Sequence, residues 1–343
     1  MHTIHPTTQQ VRSRHGGVAH NTKMQVPPLG PGWAGALMGV SITTSLVNIR
    51  IPGHVDWALL AVATALAVVL AAGWARHRNP GFAARDMPAW GMVAMGLMAL
   101  GSAWSSVAQV WSVHAALWAV GSALGVVTCV RFGVFVLRDA QRPAPAFTWG
   151  LPLVAPMVTA TASAQLALHL GTSGGAAEAL AGWIHAWGVA NFALAWLTAA
   201  PAFVVVYART FPHVPASFAA TSWIPLGMMG QSTAAAQLLA AGDGAAWRHA
   251  AVVYGWVMLA LGVALGAYAL VTHWKAVLGG AMAYNPTWWA STFPVGTLCF
   301  GTHTLALHGP ASCAWMDTVS ACLLALLLVH VVWAAAGARH LRG

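Results

Sequence analysis

Ten apolar runs, each long enough to cross a bilayer, follow one another along this 343-residue chain. They lie near 32–50, 55–75, 88–108, 110–137, 147–170, 178–207, 216–241, 248–273, 287–308 and 312–336. A spanning helix needs about 20 mostly apolar residues. Short breaks of Pro, Gly and charge separate the runs, among them RIPGHVD, RHRNPGFAARDMP, RDAQRPAPA and RTFPHVP. Charged residues make up 6% of the chain, against roughly 25% in a soluble domain. That is too few for a wettable surface, so the composition excludes a soluble globular protein. The expected fold is an all-α integral membrane protein with ten transmembrane helices.

The basic residues supply an independent check through the positive-inside rule. With the N-terminus cytoplasmic, twelve of the fifteen Lys and Arg fall on inner segments, only Arg50 and Arg248 on outer loops, and Arg131 inside the fourth run. Adding or losing one span would scramble that alternation. Both termini are therefore expected in the cytoplasm. Residues 1–30 read as a polar, basic tail, 31–337 as the membrane domain and 338–343 as a short basic C-terminal tail. The first thirty residues lack the apolar core of a secretory leader, and His2 and His5 read as part of a solvated tail. The net charge of +9 is scattered singly between apolar runs, which points to topology and away from nucleic acid.

The runs differ by parity. Odd-numbered ones hold most of the helix-weakening residues, as in GPGWAGALMG, WGMVAMGLMALGS, LPLVAPM, WIPLGMMG and TFPVG. Even-numbered ones are richer in Ala, Leu, Val and Trp, as in LLALLLVHVVWAAAG. A lipid-facing helix gains nothing from Gly or Pro, whereas a helix lining a cavity or packed inside a bundle tolerates both. Five helical hairpins, each with an inner and an outer member, fit this alternation, with the inner five around a central pore. Gly32, Gly35, Gly39 and Thr43 share one face of the first run; Pro152, Pro156, Thr159 and Ser163 share one of the fifth. Thr297, Phe300 and Thr304 continue the face of Phe293 in the ninth. Close packing through small residues would produce such stripes as well.

Four passages resemble motifs of the tellurite-resistance/dicarboxylate transporter family: PGWAGALMGVSI, LPLVAPMVTATASA, SWIPLGMMGQSTAA and WWASTFPVGTLCFGTHTLAL. They fall in the family's order and span most of the chain after residue 30. That family includes fungal malate permeases, fungal sulfite efflux pumps and the plant guard-cell slow anion channels. The resemblance implies five hairpins in a ring, an anion pathway lined by the inner helices, and a homotrimer with one pore per protomer. It also implies a pore gate at Phe293, with Pro294 bending the helix so that the ring meets the axis. The first motif reads MGVS where relatives often carry a second glycine, a departure that bears on pore width near Ser41.

Weak coordination of an anion needs polar groups without a tight site. Thr43, Thr159, Ser163, Gln231, Ser232, Thr297 and Thr304 are the candidates, with Gly39, Pro156 and Phe300 as further pore-lining positions. Hydroxyls of this kind also bond back to the carbonyl four residues earlier. Arg131 either presents charge to an anion or snorkels to the cytoplasmic interface. Proton-coupled transporters place carboxylates mid-membrane, and here Asp317, towards the outer end of the tenth run, comes closest to one. His303 and His308 are candidates for pH sensing.

A membrane-embedded redox or haem subunit, or a proton-coupled exporter of another solute, is the competing reading, raised by sixteen histidines and nineteen tryptophans. The histidines show no intramembrane HxxxH, the four cysteines no CxxC, and no phosphate-cradling motif occurs. No enzyme activity, cofactor or metal is expected. The expected partners are small inorganic or dicarboxylate anions, such as malate, sulfite, chloride or nitrate, together with membrane lipid. Short loops and an Ala-, Gly- and Trp-rich composition point to a bacterial inner membrane.

Overall fold

The computed structural model describes residues 27–338 apart from 173, 212, 281 and 283. His2, His5, nearly all of the N-terminal tail and most of the C-terminal tail lie outside these residues. Among the described residues the chain is all-helical, with ten α-helices: α1 (Ala34–Arg50), α2 (His54–His77), α3 (Met87–Val107), α4 (Trp111–Arg138), α5 (Gly150–Gly171), α6 (Ala176–Thr210), α7 (Ile224–Ala240), α8 (Ala245–Leu278), α9 (Thr292–His308) and α10 (Met316–Gly337).

Consecutive helices pack as hairpins, and the odd-numbered ones also pack on each other. α1 meets α3, α3 meets α5, α5 meets α7, α7 meets α9, and α9 returns to α1. The five odd helices thus form a closed ring with the even helices outside it. Burial follows the same division. In α1, α3 and α5, 56–78% of the most apolar stretch is buried, against 17–33% in the even helices. Large apolar side chains such as Leu137, Leu197, Val263 and Val332 stand exposed on the outer helices. In water each would carry a penalty of about 25 cal/mol per Å² of apolar surface. In hydrocarbon they carry none, so the outer face is a lipid face.

Eight of the helical stretches are long and apolar enough to cross a membrane. α7 and α9 are not among the eight, and most of their residues are buried. Their sequences mix Gly, Ser, Thr and Gln with apolar residues, which suits contact with other helices better than contact with lipid. The closest contacts confirm this. A Cβ on Gly230 of α7 would lie 2.3 Å from the backbone nitrogen of Leu298 in α9, and one on Gly301 would lie 2.5 Å from the Gly230 carbonyl oxygen. Between α3 and α5, a Cβ on Gly91 would come within 2.6 Å of the Pro152 backbone.

Each odd helix is preceded by a 3-10 turn: Pro31–Trp33, Ala84–Asp86, Phe147–Trp149, Ala216–Trp223 and Pro286–Ser291. The runs that begin near 216 and 287 in the sequence therefore open as 3-10 helix and become α-helix only at Ile224 and Thr292. Pro225 and Pro294 consequently sit in first turns, where a missing N–H removes no intrahelical bond. Pro156, by contrast, lies inside α5, and Pro201 inside α6.

Candidate functional site

Two cavities lie inside the ring, and every odd helix contributes to both. The amino-end cavity, about 400 Å³ of empty space, is lined by early residues of the odd helices, including Gly35, Met92, Leu151 and Gly227. The carboxyl-end cavity, about 460 Å³, is lined further along the same helices, by Ser45, Ser102, Thr161, Gln165, Gln231 and Phe300 among others. Among the described residues Phe293 is the one common to both linings. Its ring is 4% exposed and stands where one cavity would open into the other.

Phe293 is held there by the turn that carries it. The 3-10 segment Pro286–Ser291 ends one residue before α9, and Asn285 accepts a hydrogen bond from the Thr287 N–H at 2.8 Å to start it. Trp289 packs on Gly35 of α1, where a Cβ would lie 3.2 Å from the tryptophan Cβ. Pro294 restricts the backbone immediately after Phe293.

The two cavities differ in polarity. Side chains of the amino-end cavity are apolar, but the ends of the odd helices are not. Five helix N-termini point in one direction at this end, each equivalent to roughly half a positive charge. The carboxyl-end cavity carries hydroxyls and amides. Gln231 Nε2 donates to Thr161 Oγ1 at 2.8 Å, and Ser102 Oγ donates to Gln165 Oε1 at 2.8 Å. Ser45 Oγ is buried there without a hydrogen-bond partner among the described residues. No charged side chain lines either cavity among the described residues.

Of the positions singled out from the sequence, Phe293, Phe300 and Gln231 line the carboxyl-end cavity, and Phe293 and Pro294 the amino-end one. The others are occupied elsewhere. A Cβ on Gly39 would overlap Thr292 Oγ1, so this glycine marks the crossing of α1 and α9. Thr43 donates to the Gly39 carbonyl at 2.7 Å, Thr297 to the Pro294 carbonyl at 2.8 Å and Thr304 to the Gly301 carbonyl at 3.0 Å. Thr159 points at Met98 Sδ, 3.4 Å away, and Pro156 beside it is buried in mid-helix. Ser163 accepts the Trp118 indole N–H at 2.9 Å, on the side of α5 that meets α4. Ser232 donates to the Met229 carbonyl at 3.2 Å. Arg131 is exposed, with its guanidinium over the Phe82 ring at 5.1 Å. His308 is exposed at the end of α9, while His303 Nδ1 lies 2.8 Å from Asp317 Oδ1.

Ser45, Ser102, Thr161 and Gln165 were not legible as lining residues. Small and hydroxyl residues such as Gly101, Thr44 and Ser163 stand around them and give no sign of which ones face the axis; the spacing Thr161–Gln165, two polar residues one turn apart, was the one hint. Comparison with known families places the chain. The model of the family described as voltage-dependent anion channel, SLAC1, matches residues 28–340. No curated protein matches the chain.

Proposed function

This chain belongs to the SLAC1 voltage-dependent anion channel family, the family of the tellurite-resistance/dicarboxylate transporters, and from that premise we propose that anions cross the membrane along the axis of its inner ring, past Phe293. Members are channels or transporters, not enzymes, and the chain is a multi-pass membrane protein of that kind. The observation that carries the reading is that, among the described residues, Phe293 alone lines both axial cavities. An aromatic ring across a narrow apolar passage excludes water and so stops ions. Phe293 is the gate in this reading. Pro294 and the 3-10 turn before it set the direction of the ring.

Two features support anions over cations. The parallel N-termini of the odd helices bias the potential at the amino end towards positive, and the carboxyl-end cavity offers hydroxyl and amide donors with no carboxylate. Such donors coordinate weakly enough for an ion to leave. The lining groups fit small anions: chloride or nitrate, sulfite, or a C4-dicarboxylate such as malate. All ten helices span the membrane in this reading, α7 and α9 shielded from lipid by the others, with both termini in the cytoplasm. The amino-end cavity then faces the cytoplasm. Residues 1–30 and 338–343 form cytoplasmic tails, three chains assemble with one pore each, and the host membrane is a bacterial inner membrane.

The test is anion flux into liposomes holding purified protein, native against Phe293→Ala, across chloride, nitrate, sulfite and malate. Flux rising on the order of tenfold or more on loss of the ring is the expected result. Equal, background flux in both forms, with the variant folded, would remove Phe293 from the pathway.

A further inference from the structure

A recess on the lipid-facing side lies between α4 and α6 and is floored by the start of α5. Its volume of about 680 Å³ lies within the roughly 300–1,000 Å³ of an ordinary small-molecule pocket. Its shape follows from the sequence. Pro201 removes a helix hydrogen bond from α6 along one wall. On the α4 wall Gly133 has no side chain, and the nearest atom to its missing Cβ, from Leu153, is 4.0 Å away. Leu197, 76% exposed, and Leu137, 80% exposed, make the flanks apolar.

One end of this groove is different. Arg142, in the connection before α5, and Arg209, in the last turn of α6, both line it and are both exposed. Arg142 donates one hydrogen bond, from Nη1 to the Val136 carbonyl at 3.0 Å. Neither arginine has a carboxylate partner among the described residues. On the floor, Trp149 is 4% exposed and its indole N–H has no acceptor among the described residues. Two uncompensated guanidinium groups thus stand at the mouth of an apolar trough open to hydrocarbon. Tryptophan is the residue enriched at the level of glycerol and headgroup oxygens.

We propose that this groove binds an anionic phospholipid, with its acyl chains along Leu137, Leu153, Leu197 and Val205 and its phosphate between Arg142 and Arg209. Arginine suits the phosphate because its planar donors match the oxygens in pairs. The site rests on the orientation proposed above only for the choice of the cytoplasmic leaflet. Its occupant touches Trp149 and Leu153, while Gly150, Leu151 and Val154 of the same turns line the amino-end axial cavity. A bound lipid therefore braces the wall of the inner cavity.

The experiment is native mass spectrometry of the full chain from mild detergent, titrated with phosphatidylglycerol and with phosphatidylcholine of the same acyl chains. The native protein is expected to retain phosphatidylglycerol in preference, on the order of tenfold, as two basic side chains at a membrane surface allow. Arg142→Gln/Arg209→Gln should lose the preference, and Arg131→Gln, at another exposed arginine, should keep it. Gly133→Leu, which fills the trough and leaves the charges, should lower retention of both lipids. Retention of phosphatidylglycerol by the double arginine variant at the native level would overturn the site, leaving only unselective annular lipid. So would spontaneous disulfide-linked dimers of Leu197→Cys, which would mean that a second copy of this chain fills the groove. Neither result depends on which way the chain faces, so a wrong orientation would show separately, in labelling from the two sides of the membrane.

Discussion

Arg50 at the end of α1 grips Asp317 in the first turn of α10 through both guanidinium nitrogens, at 2.5 and 2.6 Å, and adds a bond to the Asp317 carbonyl at 2.9 Å. His303 of α9 joins the same carboxylate. Arg50 follows Leu46 by four residues and His303 follows Phe300 by three, so both stand about one helical turn beyond the carboxyl-end cavity. The pair ties the inner helix α1 to the outer helix α10 beside α9 and neutralises a cation at that mouth.

Asp317→Asn should therefore leave Arg50 uncompensated and raise anion flux in the Phe293→Ala background at low ionic strength. The gain should fade near 1 M salt, where the screening length falls to about 3 Å. Flux measured at two salt concentrations checks it; an equal gain at both would mean that the charge does not act through the field. In stability, a double-mutant cycle with Arg50→Gln should give a coupling on the order of 1 kcal/mol, kept small by solvent at the half-exposed carboxylate.

Gly230→Ala should abolish the folded protein or cost about 3 kcal/mol, because its methyl group would meet the backbone of α9 and neither helix can withdraw from the ring. Gly182→Ala, on the outer surface of α6 with nothing within 4 Å, should be tolerated. Yield and melting temperature in detergent separate the two.

Gln231→Ala should leave native flux unchanged and reduce flux severalfold when combined with Phe293→Ala. While the ring blocks the passage, the amide beyond it limits nothing. Once the ring is gone, the Gln231–Thr161 pair lies directly on the route. A reduction of equal size in both backgrounds would place Gln231 in folding instead. Phe300→Ala, which enlarges one cavity only, should not open the passage.

Single cysteines should report the topology. Gln141→Cys, in the loop after α4, should react with an impermeant thiol reagent from the cytoplasmic side. Gly242→Cys, in the loop before α8, should react from the outside. The reverse pattern would invert the whole assignment, since the alternation of arginines ties every loop to these two.

Much of the architecture is legible residue by residue. The span limits expected from RIPGHVD or RTFPHVP fall close to the helix ends because Pro, Gly and charge cannot continue an apolar helix. The parity of Gly and Pro foretold which helices are inside, since Gly230 and Gly301 are glycines only because α7 and α9 touch there. The hydroxyl stripes were less informative. Thr43, Thr297 and Thr304 share faces with lumen positions, yet turn back on their own helices, because a carbonyl three or four residues away is always within reach.

Hydrophobicity and helix breakers act locally and additively along the chain, so the sequence alone reveals an all-helical membrane protein with inner and outer helices. The folded arrangement adds that Phe293 stands between two cavities, that Ser45, Ser102 and Gln165 line one of them together, and that Arg50 finds Asp317 267 positions away. Those relations depend on the rotation of each helix about its own axis. That rotation is set by packing among all five inner helices at once, and no single stretch of sequence carries it.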